Sequence, residues 1–192
     1  MTTALYGGVF DPPHNGHVAL AEAALEHFRP ERLLVLVAVA PGHRAVHLDP
    51  GKRLELATLA FGDLPDTDIV PDTYARTVDF LREQRFGDPL FLVGADEFAA
   101  FPTWKDPDEV VALARLGVAT RPGYSPEALQ AVLEGLARPE RVEFFEIPAV
   151  DVSSSEVRRR VQAGESIEGL VPDAVAREIQ GVGLYQCYPD SD

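Results

Sequence analysis

The 192 residues predict an α/β domain built on a doubly wound, mostly parallel sheet. Three observations carry that prediction. Short apolar runs alternate with amphipathic stretches along the whole length, which is the pattern of repeated βαβ units. No linker, repeat or low-complexity tract interrupts them, so one domain over residues 1–192 is expected, with 189–192 as a flexible tail. The composition, 46% hydrophobic and 25% charged, suits a single globular unit with a sizeable core.

Taken in order, residues 2–6 form an apolar run that stops at Gly7-Gly8 and reads as a first strand. After a loop containing Asp11-Pro12-Pro13, residues 17–28 have helical spacing. Residues 33–40 are continuously apolar, as a strand buried on both faces should be, and Pro41-Gly42 ends them. Leu54, Leu56, Leu59 and Ala60 mark a helix over 52–61; a strand follows at 67–70 and a helix at 77–85. The apolar stretch 89–93 halts at Gly94-Ala95-Asp96, and a segment rich in Phe and Trp comes next. A helix is expected at 108–114, a strand at 116–119, and a helix at 126–136 opened by Ser125 as N-cap and Pro126 at its first position. A late strand at 142–147, a helix at 153–163 and a last helix at 172–180 closed by Gly181 complete the chain. In such a sheet ligands bind outside the carboxyl ends of the strands. The loops after Tyr6, Val39, Val93 and Ala119 should therefore face one crevice.

Seventeen Lys and Arg against 31 Asp and Glu give a net charge of -14, which argues against the broad basic face that nucleic acid or an anionic membrane requires. The single cysteine, Cys187, allows no internal disulfide and fits a reducing compartment. MTTALYGGVF has neither a basic start nor a long apolar run, and no segment approaches the roughly 20 apolar residues of a spanning helix. A cytoplasmic protein without a membrane partner is expected.

The chemistry concentrates in Gly7-Gly8-Val9-Phe10-Asp11-Pro12-Pro13-His14-Asn15-Gly16-His17, where the first strand hands over to the first helix. The glycines let a phosphate approach the main chain, and a helix N-terminus offers free N–H groups to an anion. His14 and His17, three apart, can donate to the same oxygens of a phosphoryl group gaining charge. Either histidine alone would read as a cap or a surface residue; the pair astride a glycine after Gly-Gly is far more specific. The stretch is neither a GxGxxG nor a Walker A sequence.

This motif resembles that of the HxGH nucleotidyltransferase superfamily, whose Rossmann-like fold the resemblance implies. A second motif, Val152-Ser153-Ser154-Ser155-Glu156-Val157-Arg158, is similar to the superfamily's I-S-S-T-x-I-R. Its serines can cap a helix and its arginine can clamp an anion. Gly94-Ala95-Asp96-Glu97-Phe98 with Phe101-Pro102-Thr103-Trp104, then Thr120-Arg121-Pro122-Gly123-Tyr124, and finally Gly169-Leu170-Val171-Pro172 and Gly183-Leu184-Tyr185, resemble the nicotinate-nucleotide adenylyltransferase family over nearly the whole chain.

The resemblance implies adenylyl transfer from ATP to nicotinate mononucleotide, giving deamido-NAD and pyrophosphate. It implies catalytic roles for His14, His17 and Arg158, and ATP contacts from Gly7, Gly8, Val9, Phe10, Gly94, Asp96, Ser153, Ser154, Ser155 and Arg158. It places the mononucleotide against Arg44, Thr73, Tyr74, Trp104, Lys105 and Arg121, with Trp104 stacked on the pyridine ring. Magnesium is expected on substrate phosphates, without protein ligands. Residue type alone leaves Trp104 open to a core role and Asp96 to a helix N-cap. Nicotinamide mononucleotide or phosphopantetheine as acceptor, or a non-catalytic nucleotide sensor, are the competing readings. Three departures bear on them: Val9 replaces the usual Thr or Ser, Gly42 replaces a proline in the P-P-H-K/R loop, and Asp72-Thr73-Tyr74-Ala75-Arg76-Thr77 replaces S-Y-T-x-x-T, whose threonine backbone helps read the nicotinate carboxylate.

Overall fold

The computed structural model describes residues 2–42, 46–121 and 126–186. The strands are β1 (Thr3–Gly8), β2 (Arg32–Ala38), β3 (Thr67–Asp72), β4 (Leu90–Gly94), β5 (Arg115–Thr120) and β6 (Val142–Glu146). The helices are α1 (Asn15–Phe28), α2 (Pro50–Phe61), α3 (Thr77–Glu83), α4 (Ala95–Ala99), α5 (Pro107–Leu113), α6 (Pro126–Gly135), α7 (Ser154–Gln162) and α8 (Asp173–Val182), with 3₁₀ turns at Phe101–Thr103 and Pro139–Arg141. The six strands pair in the order β3-β2-β1-β4-β5-β6, and every pairing is parallel. The expected doubly wound sheet is present, Rossmann-like in its order.

Burial on both faces explains the strand sequences. Leu33 to Val37 are all buried, which demands the unbroken apolar run that marks β2. One face packs against α3, α4, α5 and α6 through Val78, Leu81, Phe98, Val110 and Leu129. The other packs against α1 and α2 through Leu20, Ala21, Ala24, Ala57 and Phe61. A third cluster, with Leu56, Val157, Val175, Ile179 and Tyr185, seats α7 and α8 beside α2. The chain reverses its winding between β1 and β4, so the carboxyl ends of these strands, at Gly8 and Gly94, flank the switch-point crevice.

Several boundaries depart from the sequence reading by a few residues, and one short helix was not foreseen. β2 ends at Ala38 rather than 40, because the carbonyls of Ala38 and Val39 turn away to accept from Arg53. α1 begins at Asn15 with His14 as N-cap, a residue type outside the usual capping set. α4 was not expected; five residues are too few for a helical period, and Gly94, not Asp96, is its N-cap. α8 runs through Gly181 and closes at Gly183, where φ of 72° favours glycine. The proposed Ser125 cap, Cys187 and the tail 189–192 lie outside the described residues, as does Arg44. No described helix is long and apolar enough to cross a membrane.

Candidate active site

A trough runs along the carboxyl edge of the sheet. Its centre is a cavity of about 380 Å³ lined by Tyr6, Gly7, Gly8, Val9, Phe10, His17, Ser154, Ser155 and Arg158 among others. On one side it opens into about 510 Å³ bordered by His14, His17, Gly94, Asp96, Arg121 and Ser153. On the other it passes through about 200 Å³ bordered by Gly7, Gly8, Val9, Asp72, Tyr74, Arg76 and Trp104. That space continues into about 350 Å³ flanked by Arg76, Glu97, Trp104 and Lys105.

The floor of the centre is set by Phe10, whose φ of 52° folds its ring back beneath the loop. The ring meets Tyr6, Phe61 and His17 with centroids 5.6, 5.3 and 5.1 Å away. A Cβ on Gly8 would stand 2.6 Å from that ring, so Gly8 is required by an aromatic side chain as well as by any phosphate. Arg53, fully buried in α2, then ties the loops together. Its guanidinium donates to the carbonyls of Leu48, Val9, Ala38 and Val39 at 3.1, 3.0, 2.6 and 3.2 Å. One side chain thereby fixes the ends of β1 and β2 to each other.

The loop is braced from the far end of the chain. Asp11 is 3% exposed and accepts from the Tyr185 hydroxyl at 2.7 Å and the His47 N–H at 2.6 Å. Arg158 donates to the Asp11 carbonyl at 2.7 Å and to Ser155 Oγ at 3.1 Å, while the Ser154 hydroxyl donates to the Pro12 carbonyl at 2.8 Å. Ser153 caps α7 by accepting from the Glu156 N–H. These bonds bring the two distant motifs into one cavity wall.

His14 and His17 stack at 3.6 Å. The His14 N–H donates to His17 Nδ1 at 3.2 Å, which leaves the proton of the neutral His17 ring on Nε2. His14 Nδ1 is buried and unpartnered, and a Cβ on Gly16 would stand 3.1 Å from it; a glycine between the histidines keeps that space. Burial, then the nearby Arg121 charge, lowers the His14 pKa to about 4. Burial, then His14, holds His17 well below the usual imidazole range. Both rings are neutral donors at pH 7.

The tryptophan end is assembled differently. Trp104 packs its edge on Phe91 and tilts against Phe101, so its core contacts and its place on the cavity wall coexist. Lys105 Nζ is held by Asp79 at 2.9 and 3.1 Å. The Tyr74 N–H donates to Asp72 Oδ1 at 2.9 Å, and its hydroxyl donates to Glu83 at 3.0 Å. Thr73 is exposed and borders neither cavity at that end. Arg121, read from sequence as a mononucleotide contact, stands with His14, Asp96 and Ser153, on the side of the trough away from Trp104. It follows β5, and the sheet order puts β5 on the far side of β4 from β1.

The sequence reading did not single out Arg53 or Asp11. Arg53 had a signal: it shares a helical face with Leu56 and Ala57, where a charge must find buried partners. Asp11 and Tyr185 are 174 residues apart, and no local pattern connects them.

Residues 5–160 match the cytidylyltransferase-like family. A relative from Bordetella avium described as a probable nicotinate-nucleotide adenylyltransferase is 36% identical, covering 95% of this chain and 96% of its own length. A second, from Desulfitobacterium hafniense and described likewise, is 34% identical over 95% and 94%. A Plasmodium falciparum nicotinic acid mononucleotide adenylyltransferase complexed with NaAD superposes with a TM-score of 0.79 at 16% identity, covering 96% of this chain and 97% of its own, which is a likeness of fold. The motifs that share the trough are thus carried on a chain whose relatives match it nearly end to end, and it belongs to the nicotinate-nucleotide adenylyltransferases of the cytidylyltransferase-like family.

Proposed function

We propose that the trough binds ATP at the histidine end and nicotinate mononucleotide at the tryptophan end, and that the enzyme joins them into deamido-NAD with release of pyrophosphate. The observation that carries this reading is a pair of neutral, buried histidines placed between a cavity for a nucleoside and the Gly7-Gly8 turn. The acceptor's phosphate is already anionic and attacks the α-phosphorus without a general base. Catalysis then rests on alignment and on donors preset for the charge that develops. His17 Nε2–H, His14 and the Arg158 fork are those donors. Gly7, Gly8, Val9, Phe10, Ser154 and Ser155 contribute the cavity that holds the triphosphate; Gly94, Asp96, Ser153 and, by its placement, Arg121 border the adenosine. Trp104 offers a face to the pyridine ring, with Tyr74 and Lys105 alongside.

Magnesium fits as an ion carried by the nucleotide. Of the carboxylates bordering the central cavity, Asp11 already accepts from Tyr185 and His47, and among the described residues no group of three His, Cys, Asp or Glu side chains could hold a metal. Hard oxygen donors would come from phosphates and water. When bound, the ion neutralises charge on the departing pyrophosphate. The cytoplasmic location remains part of this reading.

The test is pyrophosphate release by purified protein with Mg-ATP and, separately, nicotinate mononucleotide, nicotinamide mononucleotide and phosphopantetheine. Turnover with the first above the other two is the expected result. Fastest turnover with phosphopantetheine would overturn the acceptor, and nucleotide binding without any turnover would make the protein a sensor.

A further inference from the structure

An acceptor that carries a carboxylate needs a cation or free N–H groups at the pyridine end of the trough. The walls there present the carboxylates Asp72 and Glu97, which disfavour an anion, beside the start of α3 at Thr77, whose N-cap Arg76 makes no side-chain cap hydrogen bond. The Tyr74 N–H is taken by Asp72 Oδ1 at 2.9 Å. Lys105 is neutralised by Asp79 at 2.9 and 3.1 Å.

Among the described residues lining the two cavities at this end, Arg76 is the remaining cation. It borders both cavities that Trp104 borders. Its only hydrogen bond among the described residues goes from Nη1 to the adjacent Ala75 carbonyl at 3.0 Å, so its charge meets no carboxylate there and most of its donors are open. A Cβ on Gly42 would stand 3.5 Å from Arg76 Nη1. The glycine in that loop, at φ of 68°, presents no side chain to the guanidinium.

We infer that Arg76 binds the pyridine carboxylate of the acceptor through its planar fork, and so makes the enzyme prefer the acid to the amide. The inference rests on the adenylyl-transfer reading above. A guanidinium matches a carboxylate with two parallel hydrogen bonds, whereas a carboxamide can accept at only one atom and carries no charge. The neighbouring Asp72 and Glu97 make the acid depend on Arg76, because an anion entering without this partner is repelled.

The experiment compares wild type with Arg76→Ala and Arg76→Lys, measuring kcat/KM for nicotinate and nicotinamide mononucleotides. In parallel, the emission of Trp104, the only tryptophan, reports the binding of each mononucleotide without turnover. The ratio of acid to amide kcat/KM should fall at least tenfold in Arg76→Ala, chiefly through KM for the acid, with Arg76→Lys between the two. Equal losses for both acceptors would assign Arg76 to their shared phosphate or to the fold and overturn the inference, as would an unchanged ratio. Wild-type protein silent with both would refute adenylyl transfer; the fluorescence titrations would then still decide Arg76, by whether its removal erases a preference for the acid.

Discussion

The bonds that hold the histidine end of the trough join residues distant in sequence, with separations of 174 for Asp11 to Tyr185, 147 for Asp11 to Arg158 and 142 for Pro12 to Ser154. At the tryptophan end the partners are near neighbours: Tyr74 with Asp72 and Glu83, and Lys105 with Asp79, separated by 2, 9 and 26. The first set surrounds a carboxylate that is 3% exposed; the second lies largely at the surface. In the proposed reaction charge develops at the first end, where donors must be fixed beforehand, and burial across the whole fold supplies that. In the same proposal the second end chooses the acceptor, and single surface substitutions there can change the partner without disturbing the core.

The sharpest way to break this contrast is His17→Ala. Removing a preset donor should lower kcat about 10²- to 10³-fold while the Kd for ATP changes only a few-fold, as measured by stopped assay and calorimetry. Equal losses in both would make His17 a binding residue. Next in size is a pH effect. His14 titrates near 4 in the fold and near 6.5 when unfolded, so between those values the unfolded chain holds more protons. Stability should therefore rise by a few kcal/mol from about pH 4 to 6.5, and His14→Gln should flatten that rise in urea melts.

A smaller change is expected from Tyr185→Phe, which leaves Asp11 Oδ1 without its donor. It should cost about 1–3 kcal/mol in denaturant midpoint and lower kcat through the loop it braces. The least should come from Lys105→Ala at the other end. Its exposed pair with Asp79 contributes little, so the midpoint should stay within error, and a drop as large as that of Tyr185→Phe would erase the distinction between the two ends.

Much of this architecture is legible in the sequence. The buried run through Leu33 to Val37 and the Gly7-Gly8 stop are local signatures of parallel strands, and they placed the crevice correctly. His14, His17, Ser154 and Arg158 were legible because their spacing within each motif reflects one turn of helix. The position of Arg121, away from Trp104, was not legible, because sequence order does not reveal on which side of β1 a strand lies. Gly8 was read as making room for phosphate, whereas the Phe10 ring also requires it; a positive φ at phenylalanine has no signature in the sequence. The capture of the Tyr74 N–H by Asp72 was not legible either, since an Asx-type bond two residues apart depends on the local backbone.

The hydroxyl of Tyr185 on Asp11 has a consequence for biogenesis. During synthesis from the amino terminus, the phosphate loop emerges long before residue 185, so its carboxylate is buried in a finished form only after nearly all of the described chain has been made. Strands and helices can assemble progressively as they leave the ribosome, but the loop that carries Asp11 is locked last. A chain cut short just before residue 185 would thus contain all six strands yet lack the final brace on Asp11.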